Sequence, residues 1–330
     1  MNFAIIGCGF IAKKHAAAIE RIPEANLAAV CDKDESAMEP YVKEYGAKAY
    51  TDFNMMLADG GIDAICICTP TSYHAFIAER AAAAKKHIVM EQPMAMTLDE
   101  TERIVEVCSK NQVKLTVVHP NRFRPVVMEL RKIIEAGMLG KISHASARVN
   151  WNRNQKFCGE TQLREEGRGI MNQAIDHIDL LLWFMGQPEQ VFSMESEGAA
   201  TGLIRFETGA LGMIETSTVV YYRNFEESIT IFGEKGTVKI GGPNAVSFEH
   251  FDVQNLSETE TEEIMEKVKS DPWGISGHEQ TISDLIQAVK ENREPLVTGE
   301  DGKRALELVL AFHEAARNNS PIGMRRGVLI

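Results

Sequence analysis

The chain has 330 residues, 44% hydrophobic and 25% charged, the mix of an ordinary globular protein with room for two domains. Its net charge of −12 argues against a nucleic-acid partner, which needs a positive footprint, whereas a phosphorylated or nucleotide-linked small molecule needs only a local cluster. No apolar run is long enough for a bilayer, so no membrane partner is expected, and the six cysteines form no zinc-ligand or disulfide framework, which fits a reducing cytoplasm.

The apolar run Phe3–Ile6 reads as a strand, and Gly7-Cys8-Gly9-Phe10-Ile11-Ala12 follows it and opens a helix over Ile11–Ile22. In G-x-G-x-x-G/A the first glycine permits a tight turn and the second lets the backbone approach a pyrophosphate. The small third residue lets the helix pack on the strand. The phosphates would lie on the unpaired N–H groups and the positive end of the helix dipole. No basic segment precedes the run, so a strand is read here and not a secretion leader. A second strand, Leu27–Cys31, ends on Asp32, 23 residues after Gly9. An acid there accepts hydrogen bonds from an adenosine ribose and repels a 2′-phosphate, which favours NAD over NADP; Lys33 tempers that preference. The bland alternative is a Rossmann unit without nucleotide.

Helices are expected over Glu35–Tyr45 and Phe53–Ala58, then a nearly all-apolar strand over Ala64–Cys68, the mark of a parallel sheet covered on both faces. Ser72–Ala84 is helical and His87–Met90 a short strand. Leu98–Lys110 is an amphipathic helix capped by Thr97, and Lys114–Val118 a further strand. The alternation predicts an α/β fold whose residues 1–118 form a doubly wound parallel sheet of Rossmann type.

The pattern then changes. Helices are expected over Arg122–Ala136 and over Ile170–Phe184, the latter ended by Gly186. Short alternating segments follow from Val191 to Phe248, with Gly233-Glu234-Lys235-Gly236 as a hairpin turn, and predict an antiparallel sheet of four to six strands. Gln254–Glu263 reads as an exposed acidic loop. Two closing helices, His278–Glu291 and Gly302–Asn318, complete an α+β domain over 119–330, or pack back on the first domain. Ile204, Phe206, Leu211 and Ile214 leave apolar strand surface that predicts a homodimer or homotetramer joined sheet to sheet.

Thr69-Pro70 and Glu91-Gln92-Pro93 end successive strands at the carboxyl edge, where ligands bind in open α/β sheets. His74 reads equally as a cofactor contact or a packing histidine. With these residues placed, the chain resembles the Gfo/Idh/MocA oxidoreductases along its whole length. The likeness runs through the glycine turn, Thr69-Pro70-Thr71-Ser72-Tyr73-His74, Glu91-Gln92-Pro93-Met94 and Asn121-Arg122-Phe123. It continues through Met171–Asp179, Gly233-Glu234-Lys235-Gly236-Thr237 and Pro295–Gly302.

The resemblance implies NAD as cofactor and a sugar, inositol or nucleotide-linked sugar as substrate. It implies cofactor contacts at Gly7, Gly9, Phe10, Ile11, Asp32, Lys33, Thr69, Pro70, His74, Glu91, Gln92 and Asn121, and no metal. Trp151-x-Arg153-x-Gln155 and Glu227–Gly233 look most like the branch acting on amino sugars, often UDP-linked. Arg122, Trp151, Arg153, Gln155, Asn172 and Asp176 are the implied substrate residues, although Arg122 and Arg153 also read as surface ion-pair residues.

The departures matter as much. The family's motif after the fourth strand is usually Glu-Lys-Pro, with a lysine that helps move the hydroxyl proton; here the position is Gln92, which cannot titrate. The usual acid and histidine, four residues apart on a helix, are here Asn172 and Asp176. Oxidising a carbinol requires an acceptor for the hydroxyl proton, which leaves Asp176, with His177 beside it, and Gln92 and Asn172 as orienting groups. A carboxylate partly desolvated beside nicotinamide can serve as a base near neutrality. Three functions remain open at this point: an NAD-dependent dehydrogenase acting on a sugar hydroxyl, a member that binds NAD and sugar as a sensor or subunit, and an NAD-recycling lyase or epimerase.

Overall fold

Strands β1 (Asn2–Ile6), β2 (Asn26–Cys31), β3 (Lys48–Tyr50), β4 (Ala64–Ile67), β5 (His87–Met90) and β6 (Leu115–Val117) pair in the order β3-β2-β1-β4-β5-β6, all parallel. Every residue of β4 is buried, as a strand covered on both faces requires. This is the computed structural model of the chain, which describes residues 1–153, 170–242, 245–268, 276–325 and 328–329. The crossover helices are α1 (Phe10–Arg21), α2 (Glu35–Tyr45), α3 (Phe53–Leu57), α4 (His74–Ala83) and α5 (Leu98–Asn111). Thr97 caps α5 as expected, in a reciprocal box with Glu100.

The chain divides into two compact units, Met1–Pro120 with Gly274–Leu306, and Asn121–Trp273 with Glu307–Ile330. The second unit begins with α6 (Pro125–Glu135). The single helix expected over Arg122–Ala136 is split by Pro125, which takes the first helical position and holds Arg124 extended after a 3-10 turn over Pro120–Phe123. Then come β7 (Ile142–Asn150), a 3-10 turn over Ile170–Ala174, and α7 (Ile175–Met185). The remaining strands are β8 (Pro188–Ser196), β9 (Ala199–Phe206), β10 (Leu211–Ser217), β11 (Glu226–Gly233), β12 (Gly236–Gly241) and β13 (Ser247–Val253).

With β14 (Ile322–Arg325) and β15 (Val328–Leu329), these strands make a nine-stranded sheet of order β13-β12-β11-β7-β10-β9-β8-β14-β15. It is larger than the expected four to six strands, and β7 pairs parallel with β10 while the other neighbours run antiparallel. β7 escapes a hydropathy reading because its inward residues include Ala145 and Ala147, too small to mark a face.

Ile204, Phe206 and Ile214, expected to leave apolar surface, are buried. The apolar side chains left exposed in this part of the sheet are Met194, Leu203, Leu211 and Met213. Where an acidic loop was expected, α8 (Glu258–Lys267) forms, begun by a capping box between Ser257 and Glu260.

The chain then returns to the first unit through α9 (Ser276–Glu291), which packs along α1 and sends Ile282, Leu285 and Ile286 into the core built by Phe3, Ile5, Ala16 and Ile19. In α10 (Gly299–Asn318), the residues to Leu306 belong to the first unit and those from Glu307 to the second. Leu285 is fully buried, so Leu285→Ala should cost about 2–5 kcal/mol of stability through lost burial and a residual cavity. A lowered denaturant midpoint checks this; an unchanged midpoint would mean that α9 does not share that core.

Candidate active site

The turn after β1 is built on absence of side chain. Gly7 sits at φ +90°, and a Cβ there would come within 2.9 Å of the Cys68 and Thr69 backbone. Its N–H donates to the Cys31 carbonyl, which ties the ends of β1 and β2. Gly9 is the residue before α1. No side chain caps that helix, no acid lies in its first turn, and a Cβ on Gly9 would meet nothing within 4 Å. Uncapped N–H donors facing open space suit an anionic pyrophosphate. Ala12 is fully buried, as close helix packing requires, whereas Phe10 is exposed and Ile11 half-buried.

Asp32 stands beside this turn with its Oδ2 accepting from the Cys8 N–H at 2.7 Å and its Oδ1 from the Asp34 N–H at 3.0 Å. Its carboxylate is thereby fixed and half-buried. Lys33 points elsewhere, its Nζ 5.5 Å from the centre of the Tyr73 ring. The residues present fit NAD: a bare helix terminus for phosphates and an oriented carboxylate for a ribose.

At the edges of β4 and β5, His74 turns inward. It is 1% exposed, with Nε2 2.9 Å from the Thr69 carbonyl and Nδ1 3.1 Å from the Pro93 carbonyl. Its ring therefore braces two loops. Burial pushes its pKa down, and a neutral imidazole donates to one carbonyl at a time. Thr69 is half-buried and Pro70 exposed.

Glu91, expected at the cofactor, is engaged by two histidines that sequence reasoning missed. His15 on α1 approaches its Oε1 at 2.7 Å and His278 on α9 approaches the same oxygen at 3.3 Å. Burial alone would raise the Glu91 pKa, but the hydrogen bonds from both imidazoles bring it below the usual carboxylate range. Burial lowers that of His15. The three groups also lie close enough together to hold a cation. Metal-bound histidines, however, donate their second ring nitrogen to a partner, and the Nδ1 atoms of both rings are buried without one. Hydrogen bonds account for the cluster. Gln92 is half-buried, and its side chain makes no hydrogen bond to the described residues.

In the second unit, Arg122 is not available for a substrate phosphate or carboxylate, nor is it a surface residue. Its Nε and Nη2 grip Asp179 at 2.7 and 2.6 Å in a buried bidentate pair, and the guanidinium lies 5.2 Å from the Trp183 ring centre. Asn121 is also buried. Asn172 lies on the 3-10 turn and Asp176 at the second position of α7, both half-buried. His177 is 1% exposed, with its Nε2 lacking a hydrogen-bond partner at 3.7 Å from Glu227, and burial pushes its pKa down. It faces the interior of its unit.

Trp151 is half-buried with Arg153 4.2 Å over its ring, and Gln155 lies outside the described residues. Trp151 borders a cleft of about 830 Å³ with Tyr221, Tyr222, Phe225, Glu227 and Glu249. The aromatic residues Tyr221, Tyr222 and Phe225 stand close together in the chain, a signal for that wall that the sequence reading passed over.

Serine is a strong N-cap, and its side chain at position 9 would occupy the open space over the helix start. Gly9→Ser is therefore expected to keep or raise the melting temperature while weakening NAD binding about tenfold or more. Calorimetric titration beside a thermal melt checks both, and NAD affinity equal to that of the natural protein would refute the cradle.

Residues 1–119 match the family model described as oxidoreductase family, NAD-binding Rossmann fold, and residues 131–324 match its C-terminal α/β domain. Among solved structures, the WlbA dehydrogenase from Bordetella pertussis, in complex with NADH and UDP-GlcNAcA, is 30% identical with a TM-score of 0.92 over 98% of each chain. Myo-inositol 2-dehydrogenase of Thermotoga maritima is 27% identical over 93% of this chain and 94% of its own. D-apiose dehydrogenase of Rhizobium rhizogenes is 25% identical over 97% and 96%. With both of its domains matched, the chain belongs to the Gfo/Idh/MocA family of NAD-binding oxidoreductases.

Proposed function

We propose that the protein is an NAD-dependent dehydrogenase of a sugar secondary hydroxyl, with Asp176 as proton acceptor and a nucleotide-linked amino sugar as the favoured substrate class. The observation that carries the catalytic assignment is the burial pattern of α7. Nine of its eleven residues are buried, and the two left are Asp176 and Trp183. A helix apolar on nearly every side leaves a carboxylate part-exposed at its first turn, where a negative charge is favoured by the helix dipole. His177 is sequestered, so the ionisable group this motif offers is Asp176.

NAD, when bound, accepts the hydride released from the carbinol carbon. The Asp176 carboxylate takes the hydroxyl proton as the C–O bond becomes a ketone carbonyl, and the Asn172 amide orients that hydroxyl. Gln92, in the first unit, carries an amide that can hydrogen-bond and does not titrate. The substrate class is supported by the aromatic cleft wall beside Trp151 and by what the Bordetella relative is named as binding. The free, buried thiols of Cys8, Cys31, Cys66, Cys68 and Cys108 suit a reducing compartment, and we place the protein in the cytoplasm. No helix among the described residues is long and apolar enough to cross a membrane.

The reading is tested by following NADH formation with free sugars, inositols and UDP-amino sugars, with Gln92→Lys run beside the natural protein. Turnover by the natural protein supports the dehydrogenase, and Asp176→Asn should then lower kcat about 10²–10⁴-fold with NAD affinity unchanged. Silence from the natural protein with turnover by Gln92→Lys would instead favour a binding subunit or sensor. Substrate loss without net NADH, with NAD carried through purification, would favour a lyase or epimerase.

Self-association is proposed through the exposed apolar side chains of the second sheet. Met213 pairs with Leu203 across β10 and β9, and Leu203 with Phe192 across β9 and β8, while Met194, Leu203, Leu211 and Met213 are 45–63% exposed. The double variant Leu203→Glu with Met213→Glu is expected to run as a monomer by light scattering while the natural protein does not. A monomeric natural protein would refute the interface.

A further inference from the structure

The Gln92 side chain is half-buried and makes no hydrogen bond to the described residues, so its position follows that of its neighbours in the chain. On one side, the Pro93 carbonyl meets His74. On the other, Glu91 presents a single oxygen to two buried rings from distant parts of the chain, His15 in α1 and His278 in α9. Those rings lie edge to face, their centres 5.1 Å apart, and their Nδ1 atoms are unpartnered, so each ring makes its polar contact through Nε2. α1 is also the helix whose first N–H groups form the phosphate cradle at Gly9. The hydrogen bond from His15 to Glu91 therefore links two ends of one binding surface.

Asp32 ends β2 and Gln92 follows β5, with β1 and β4 between them. Three strand spacings separate the two, about 14 Å of sheet edge. A dinucleotide laid across that edge with its adenosine ribose at Asp32 carries its nicotinamide toward Gln92.

We propose that Glu91, held by His15 and His278, is a positioning residue that sets Gln92 in register with the pyrophosphate cradle and so governs the fit of the nicotinamide half of NAD. This rests on the NAD-binding assignment of the first unit and is independent of which sugar is oxidised. Glu91 acts through Gln92 and the α1 terminus; its Oε1 is committed to the imidazoles. In Glu91→Gln the oxygen that faces both rings is a neutral amide oxygen in place of a carboxylate oxygen, so both imidazole hydrogen bonds lose their charge assistance and weaken. Slack introduced there loosens the Gln92 side of the surface and leaves Asp32 and the β2 side in place.

The test compares binding of NAD with binding of ADP-ribose, which lacks the nicotinamide, by calorimetric titration of the full chain. The natural protein binding both ligands validates the assignment on which the inference rests; failure to bind NAD would overturn that assignment and this inference with it. Glu91→Gln is expected to weaken NAD about tenfold while ADP-ribose stays within about twofold. His278→Gln, which removes the longer of the two contacts, is expected to move the same ratio in the same direction and serves if Glu91→Gln does not fold.

Leu285→Ala, on the same helix as His278 but absent from the cluster, should lower the melting temperature and leave the NAD to ADP-ribose ratio unchanged. Parallel loss of both ligands in the cluster variants, an unchanged NAD affinity, or an equal ratio shift in Leu285→Ala would each overturn the positioning role.

Discussion

The first unit depends on one close approach, the backbone of Gly7 against the ends of β4 and its following loop. With no Cβ to intervene, the β1 turn lies on Cys68 and Thr69, and its N–H reaches the Cys31 carbonyl. That contact sets α1 off at a fixed point over the sheet edge with its first donors bare. The cofactor cradle follows from it: the open space at Gly9, the Asp32 carboxylate pinned by the Cys8 N–H, and the position of His15 along α1. A side chain at position 7 would have to displace backbone, which no rotamer change can do.

The positions proposed for catalysis are unusual in what they cannot do. An amide at position 92 and another at 172 can hydrogen-bond but cannot accept a proton. The second unit meanwhile buries most of the ionisable groups near the motif. Arg122 closes on Asp179, and His177 is packed opposite Glu227 with Arg124 at 3.8 Å from the same carboxylate. With His177 and Asp179 buried, Asp176 is the ionisable side chain of α7 left part-exposed, the one to which the proposed mechanism gives the proton.

What was legible in the sequence was what is local. The glycine turn, the apolar strands β1, β2 and β4, the Thr97 cap and the Gly233–Gly236 hairpin are each set by residues adjacent in the chain, and each stands where expected. β7 was hidden because alanine fills its inward positions, and α8 because acidic composition suggested a loop while the Ser257/Glu260 box was the stronger local signal. The partners of Glu91 were out of reach for a different reason. His15 is 76 residues before it and His278 is 187 after it, and no periodicity links side chains that meet only when the chain returns through α9. The pairing of Arg122 with Asp179, 57 residues apart, was out of reach on the same ground, since a basic residue near a binding motif reads as a ligand contact or a surface ion pair until its buried partner is seen.

The two buried charge sites differ in kind. Arg122 and Asp179 neutralise one another, with planar guanidinium matched to carboxylate, and their arrangement resists perturbation because separating them would strand two charges. Glu91 has no such counterion. Its hydrogen bonds outweigh burial and leave it ionised between imidazoles of which His15 is pushed toward its neutral form, so its charge is balanced by donated hydrogen bonds. Buried charges held this way contribute little net stability compared with apolar packing of the same volume. They do demand a particular geometry, because each donor must stay aimed at one oxygen. A site of that kind gains the fold little in free energy and much in definition, at the strand end that carries Gln92.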